Sequence, residues 1–119
     1  MAYIFGVKIV RTKTYEKGLK RLRKLGASAN DVAEMEQAII IDPKGGDVIK
    51  DAGGLRKMRF GYASQGKRGG GRTIYYDYTE EAMVIFVTAY PKVDKDDITA
   101  DERKLFVELI RKLTDDQEE

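Results

Sequence analysis

Six cationic side chains, Arg56, Lys57, Arg59, Lys67, Arg68 and Arg72, fall between Gly53 and Tyr76 with no Asp or Glu among them. A field of one sign therefore persists over that stretch. Each Lys or Arg that meets a phosphate oxygen releases a condensed counterion and adds affinity regardless of sequence, so the expected ligand is polyanionic, in the simplest case RNA or DNA. Breaking an RNA backbone without metal needs a group that takes the 2′-hydroxyl proton, a cation that stabilises the phosphorane, and a group that protonates the departing 5′-oxygen. Arg suits the middle role, because its planar fork of donors matches two phosphate oxygens and its charge persists at any working pH. Lys or Tyr can fill the others only where neighbours shift the pKa, and clustered cations lower the pKa of a Lys or Tyr beside them.

Composition narrows the chemistry further. With 0 Cys and 0 His, the chain lacks thiol nucleophiles, Ser-His-Asp triads, imidazole bases and the usual zinc or iron ligand sets, so no metal or cofactor is expected. Proton transfer is left to Lys, Tyr, Asp or Glu. Gly69, Gly70 and Gly71 suggest a phosphate-cradling loop, but the Walker spacing and its Lys-Ser/Thr ending are missing. Asp94, Asp96 and Asp97 lack the glycine and terminal Glu of a calcium loop and read as solvated loop charge. The formal charge of +2 is uninformative beside its distribution, which is basic at the centre and acidic over Thr114–Glu119.

The elements that must hold these groups follow from hydrophobic spacing. At 119 residues the chain reads as one domain over 1–119 with a short acidic tail at 114–119, large enough to bury a core without disulfides. No run approaches the roughly 18 apolar residues of a membrane span, and no small-residue cleavage site follows the N-terminus, so a cytosolic protein without a membrane partner is expected. Tyr3–Thr12 reads as a single first strand. Thr14 is placed to cap a helix with Leu19, Leu22 and Leu25 at helical spacing, whose other face carries Lys17, Lys20, Arg21, Arg23 and Lys24, either as solvated surface or as a further contact. Ser28 or Asn30 caps a second helix from Asp31 to about Ile41, ended by Asp42-Pro-Lys-Gly-Gly46.

After a short extended piece at Asp47–Lys50, three strand-like runs, Leu55–Phe60, Thr73–Tyr78 and Met83–Tyr90, form an antiparallel meander. Thr99–Arg103 opens a last helix with a capping-box pattern, and Leu105, Phe106, Leu109, Ile110 and Leu113 form its apolar stripe. The order predicts an α+β domain, its helices all on one side of a mostly antiparallel sheet and its other face open and basic. Alternation puts Leu55, Lys57 and Arg59 on one face, Arg56, Met58 and Phe60 on the other, and separates Arg72, Ile74 and Tyr76 from Thr73 and Tyr75. If Arg72 joins Lys57 and Arg59, the open face is a positive platform.

Several of these stretches together resemble the RelE superfamily of toxins from bacterial toxin-antitoxin pairs: Asp42-Pro-Lys-Gly-Gly-Asp-Val-Ile49, Gly53-Gly-Leu-Arg-Lys-Met-Arg59, Gly66-Lys-Arg-Gly-Gly-Gly-Arg-Thr-Ile-Tyr-Tyr76, Tyr90-Pro-Lys92 and Asp97–Lys104. The Lys-Arg-Gly-Gly loop is similar to that of the HigB-type branch. The resemblance implies a ribosome-dependent mRNA endonuclease, an mRNA interferase that cuts the codon in the A site and is masked by an antitoxin. It matches Arg72 to the phosphate-contacting Arg, Lys92 to the basic residue after the last strand, Tyr90 to the aromatic two before it, and Lys57 and Arg59 to the basic pair of the first meander strand. Lys92 or Lys67 is then the acid or base, and Arg56 and Arg68 join the RNA-binding set. The implied partners are ribosome, mRNA and a HigA-like helix-turn-helix antitoxin, with DNA reached only through that antitoxin. A ParE-like gyrase poison and a noncatalytic RNA- or antitoxin-binding protein are the competing readings.

Overall fold

The run Met83-Val-Ile-Phe-Val-Thr-Ala-Tyr-Pro91 is buried along its whole length, and a strand apolar on both sides of its pleat must be covered on both. The computed structural model describes residues 2–63, 66 and 69–118. In chain order its elements are β1 (Ala2–Ile4), β2 (Val7–Arg11), α1 (Lys13–Lys24), α2 (Ala29–Ile41), β3 (Asp47–Val48), β4 (Arg56–Phe60), β5 (Gly71–Tyr78), a 3-10 turn at Thr79–Glu81, β6 (Met83–Pro91) and α3 (Ala100–Glu118). One sheet runs β1-β2-β6-β5-β4-β3. Every pairing is antiparallel except that of β2 with β6, so the α+β expectation with a mostly antiparallel sheet stands.

The helices do not share one side, which corrects the expected placement of α3. Tyr15, Leu19 and Leu22 of α1 and Val32, Met35 and Ile39 of α2 pack with Tyr75, Val84 and Phe86. Phe106 and Ile110 of α3 pack with Ile74, Met83, Ile85 and Val87. Adjacent residues of β6 thus enter different cores, and α3 lies across the sheet from α1 and α2. The α3 stripe also differs by one position: Val107 packs inward while Leu105 is 65% exposed.

Two N-terminal details depart from expectation. The stretch predicted as one strand folds back as a hairpin through Phe5 and Gly6, with Ile4 opposite Val7. Both turn residues have positive φ, 53° and 76°, which suits the right-handed twist of paired strands. The cap of α1 is Thr12 rather than Thr14: its hydroxyl accepts from the Tyr15 amide at 3.1 Å and donates to the Val87 carbonyl at 2.6 Å. Of the two caps expected for α2, Ser28 is the one used, so the helix starts at Ala29 instead of Asp31, and Ser28 and Asp31 form a reciprocal capping box.

Gly18 lets α1 lie against β6, because a Cβ there would sit 1.9 Å from the Ala89 carbonyl oxygen. Arg11 donates to both oxygens of the buried Glu36 at 3.0 and 2.8 Å, and Tyr15 donates to the same carboxylate at 2.6 Å, which joins β2, α1 and α2. Among the described residues no helix is long and apolar enough to cross a membrane.

Candidate active site

Strand pairing brings the cations together. Lys57 lies opposite Ile74 and Arg59 opposite Arg72, so these side chains share a face with Leu55 and Ile74, the face that α3 covers farther along. The last part of β6 reaches that face through a bulge. Ile74 pairs with Thr88 but Tyr75 with Phe86, which leaves Val87 as an extra residue and reverses the phase of everything after it. Arg72 then pairs with Tyr90, and the ladder continues past Pro91 through the Lys92 amide, which donates to the Gly70 carbonyl at 2.9 Å. The carbonyl of the bulged Val87 is the one that Thr12 holds.

These constraints form an open hollow of about 440 Å³ lined by Lys57, Arg59, Arg72, Lys92, Asp96 and Asp97. It lies beside the N-terminal end of α3, on the face that also carries α3 instead of on a bare face opposite all the helices. Arg72 is only 4% exposed, and its Nη1 donates to the Gly71 carbonyl at 3.0 Å. Such a guanidinium is fixed in place before any ligand arrives. The glycines before it are required by packing: a Cβ on Gly70 would lie 2.1 Å from the Phe60 carbonyl oxygen, and one on Gly71 would enter the Phe60 ring at 2.4 Å. Lys92 and Arg59 are exposed at the rim. The Lys57 ammonium, with its side chain 18% exposed, stands 3.5 Å from Asp97 Oδ2.

Arg56 and Tyr90 are not among the residues that line the hollow. Arg56 points away from the hollow, as alternation required, and its Nη1 donates to the Lys44 and Gly46 carbonyls at 3.0 and 2.9 Å. It pins the Asp42–Gly46 turn together with Tyr75, whose hydroxyl donates to the Pro43 carbonyl and accepts from the Gly46 amide. Tyr90, expected among the catalytic groups, is 5% exposed. The Lys95 ammonium stands 4.9 Å from the centroid of its ring, and its hydroxyl has no hydrogen-bond partner among the described residues. Burial first, then the charge of Asp97, pushes its pKa well above the ordinary phenol range. Lys67 and Arg68 lie outside the described residues.

Asp96 and Asp97, expected as solvated loop charge, both line the hollow with the cations. Only their place between Tyr90-Pro-Lys92 and the α3 cap at Thr99 hinted at this. That loop is held by Arg21 of α1, which donates twice to Asp94 at 3.0 Å, so one cation of the basic helix face is structural.

Residues 7–119 match the family described as RelE toxin of the RelE/RelB toxin-antitoxin system. The fold is similar to that of the isolated Escherichia coli RelE toxin, at 14% identity and a TM-score of 0.52 over 90% of this chain and 98% of that one. A conserved hypothetical protein of Helicobacter pylori matches at 16% identity and a TM-score of 0.54, covering 74% of this chain and 97% of that one. The E. coli RelBE toxin-antitoxin complex contains a chain that matches at 15% identity and a TM-score of 0.50, covering 71% and 95% respectively.

Proposed function

The chain belongs to the RelE toxin family, and from that premise we propose that it is a ribosome-dependent mRNA endonuclease of the HigB-type branch, inhibiting translation by cutting mRNA in the A site. The observation that carries this reading is the hollow in which Lys57, Arg59, Arg72 and Lys92 converge. In the reaction the 2′-oxygen bonds to phosphorus, the bond from phosphorus to the 5′-oxygen breaks, and a 2′,3′-cyclic phosphate remains. Arg72, already fixed, stabilises charge on the phosphorane, which is where preorganised donors act most strongly. Lys57 and Arg59 hold the flanking phosphates. Lys92, exposed at the rim, and Lys67 divide the two proton transfers between them: one takes the proton from the 2′-hydroxyl and the other, as an ammonium, protonates the leaving 5′-oxygen.

A HigA-like helix-turn-helix antitoxin is the proposed partner. E. coli RelE, a family member, is known in a toxin-antitoxin complex, and a cationic hollow is a surface that an antitoxin can mask. The Lys67-Arg-Gly-Gly70 loop supports the HigB-type assignment.

The test is transcript mapping on isolated ribosomes, with growth of inducing cells followed in parallel. Arg72→Ala is expected to lower cleavage by about 100- to 1,000-fold and to restore growth. Arg72→Lys keeps the charge but loses the fork, and is expected to lie between the two. Full cleavage by Arg72→Ala, or toxicity with intact transcripts and broken DNA as a gyrase poison leaves it, would overturn the proposal.

A further inference from the structure

The hollow that gathers cations also contains its own anion. Asp97 Oδ2 faces the Lys57 ammonium at 3.5 Å, and Asp96 lines the same space. The carboxylate is held there. Its Oδ1 accepts from the Ile98 amide at 2.8 Å, and its loop is tied at both ends: Arg21 grips Asp94, while Lys95 meets Glu102 at 2.6 Å. Glu102 in turn accepts from the Thr99 amide, and Thr99 caps α3 by accepting from the Glu102 amide. Asp97 stands two residues before that cap, where the start of a helix favours negative charge.

We propose that Asp97 is a built-in competitor for substrate phosphate, occupying Lys57 in the resting protein and giving way when a polyanion enters. The inference rests on reading the hollow as a phosphate site and adds how that site discriminates. A phosphate approaching Lys57 must displace the carboxylate or share the ammonium with it, and either loses part of the Coulomb gain. RNA free in solution, held by few contacts, is resisted. RNA already held at other points along its length arrives at high effective concentration and displaces Asp97. The exposures fit this exchange: the Lys57 side chain is 18% exposed and stays in place, while that of Asp97 is 57% exposed and has room to swing out.

Binding of a labelled single-stranded RNA oligonucleotide to the full chain at fixed salt tests the proposal, comparing wild type with Asp97→Asn and Asp101→Asn. Asn at 97 keeps an oxygen for the Ile98 amide, and Asp97→Ser provides a second neutral replacement. Asp101, in the first turn of α3, makes the same change of net charge away from the hollow. Asp97→Asn is expected to tighten binding about two- to fivefold, Asp101→Asn less, and the gain at 97 is expected to vanish in a Lys57→Ala background. Equal gains at the two positions, weaker binding in both neutral variants at 97, or a gain that persists without Lys57 would each overturn it. Ribosomal cleavage separates this from the enzymatic reading: cleavage by wild type with no gain at 97 sinks the competitor alone, whereas a gain at 97 with no cleavage sinks the nuclease alone.

Discussion

Arg72 and Tyr90 are paired across neighbouring strands yet have different fates. Both are almost fully buried, but a guanidinium keeps its charge there whereas burial pushes the pKa of a phenol up and favours its neutral form. Arg72 therefore delivers a positive charge to the hollow, while Tyr90 contributes a ring under Lys95. Its hydroxyl lacks a partner among the described residues, and such a group adds no stability to the fold. Tyr90→Phe is accordingly expected to leave the urea midpoint unchanged or to raise stability by up to about 1 kcal/mol, and to retain cleavage within about tenfold of wild type. A loss comparable to that of Arg72→Ala would return Tyr90 to the catalytic set.

Between the strands and helices, the contacts that matter are few and polar. Glu36 is buried on α2 and joined to Arg11 of β2 and Tyr15 of α1, and the carboxylate raises the Arg11 pKa. Glu36→Ala leaves a guanidinium and a buried phenol without this partner. A loss of about 2–3 kcal/mol is expected from urea unfolding, less than for a fully buried pair because Arg11 retains some solvent. A change below about 0.5 kcal/mol, the range of surface substitutions, would mean that the network adds nothing. The other decisive feature is the bulge at Val87, which turns Tyr90 toward Arg72. The sequence Val84-Ile-Phe-Val87 carries no mark of an extra residue, since every position is apolar, and a bulge is only visible once the partner strand is in register.

Across the molecule, apolar layers on both faces of the sheet bury tyrosines from opposite sides. Tyr15 and Tyr75 lie in the layer under α1 and α2, and Tyr90 in the layer under α3. Burial is the first cause that pushes each of their pKa values up. Raised folded values above an unfolded value of about 10 mean that the stabilisation is complete below about pH 10 and is lost as pH rises beyond it. Urea unfolding followed from about pH 8 to 11 should show stability falling above about pH 10, and Tyr15→Phe should flatten the fall. Stability that does not fall above about pH 10, or a fall that Tyr15→Phe leaves unchanged, would contradict the burial.

Local patterning alone was enough for the meander, the capping box at Thr99, a cap at Ser28 or Asn30, and the division of Lys57 and Arg59 from Arg56, because capping and period-two alternation are properties of neighbouring residues. The motifs were also enough to identify the family. The side of the sheet taken by α3, the fold-back at Phe5–Gly6, the burial of Tyr90 and the meeting of Asp97 with Lys57 depended on the assembled sheet. Each is a relation between segments distant along the chain, or a choice among chain paths that local propensity leaves nearly equal. Met83–Pro91 held the clearest overlooked sign: a strand with apolar residues on both faces must be covered on both, and α3 was the helix left to cover the second.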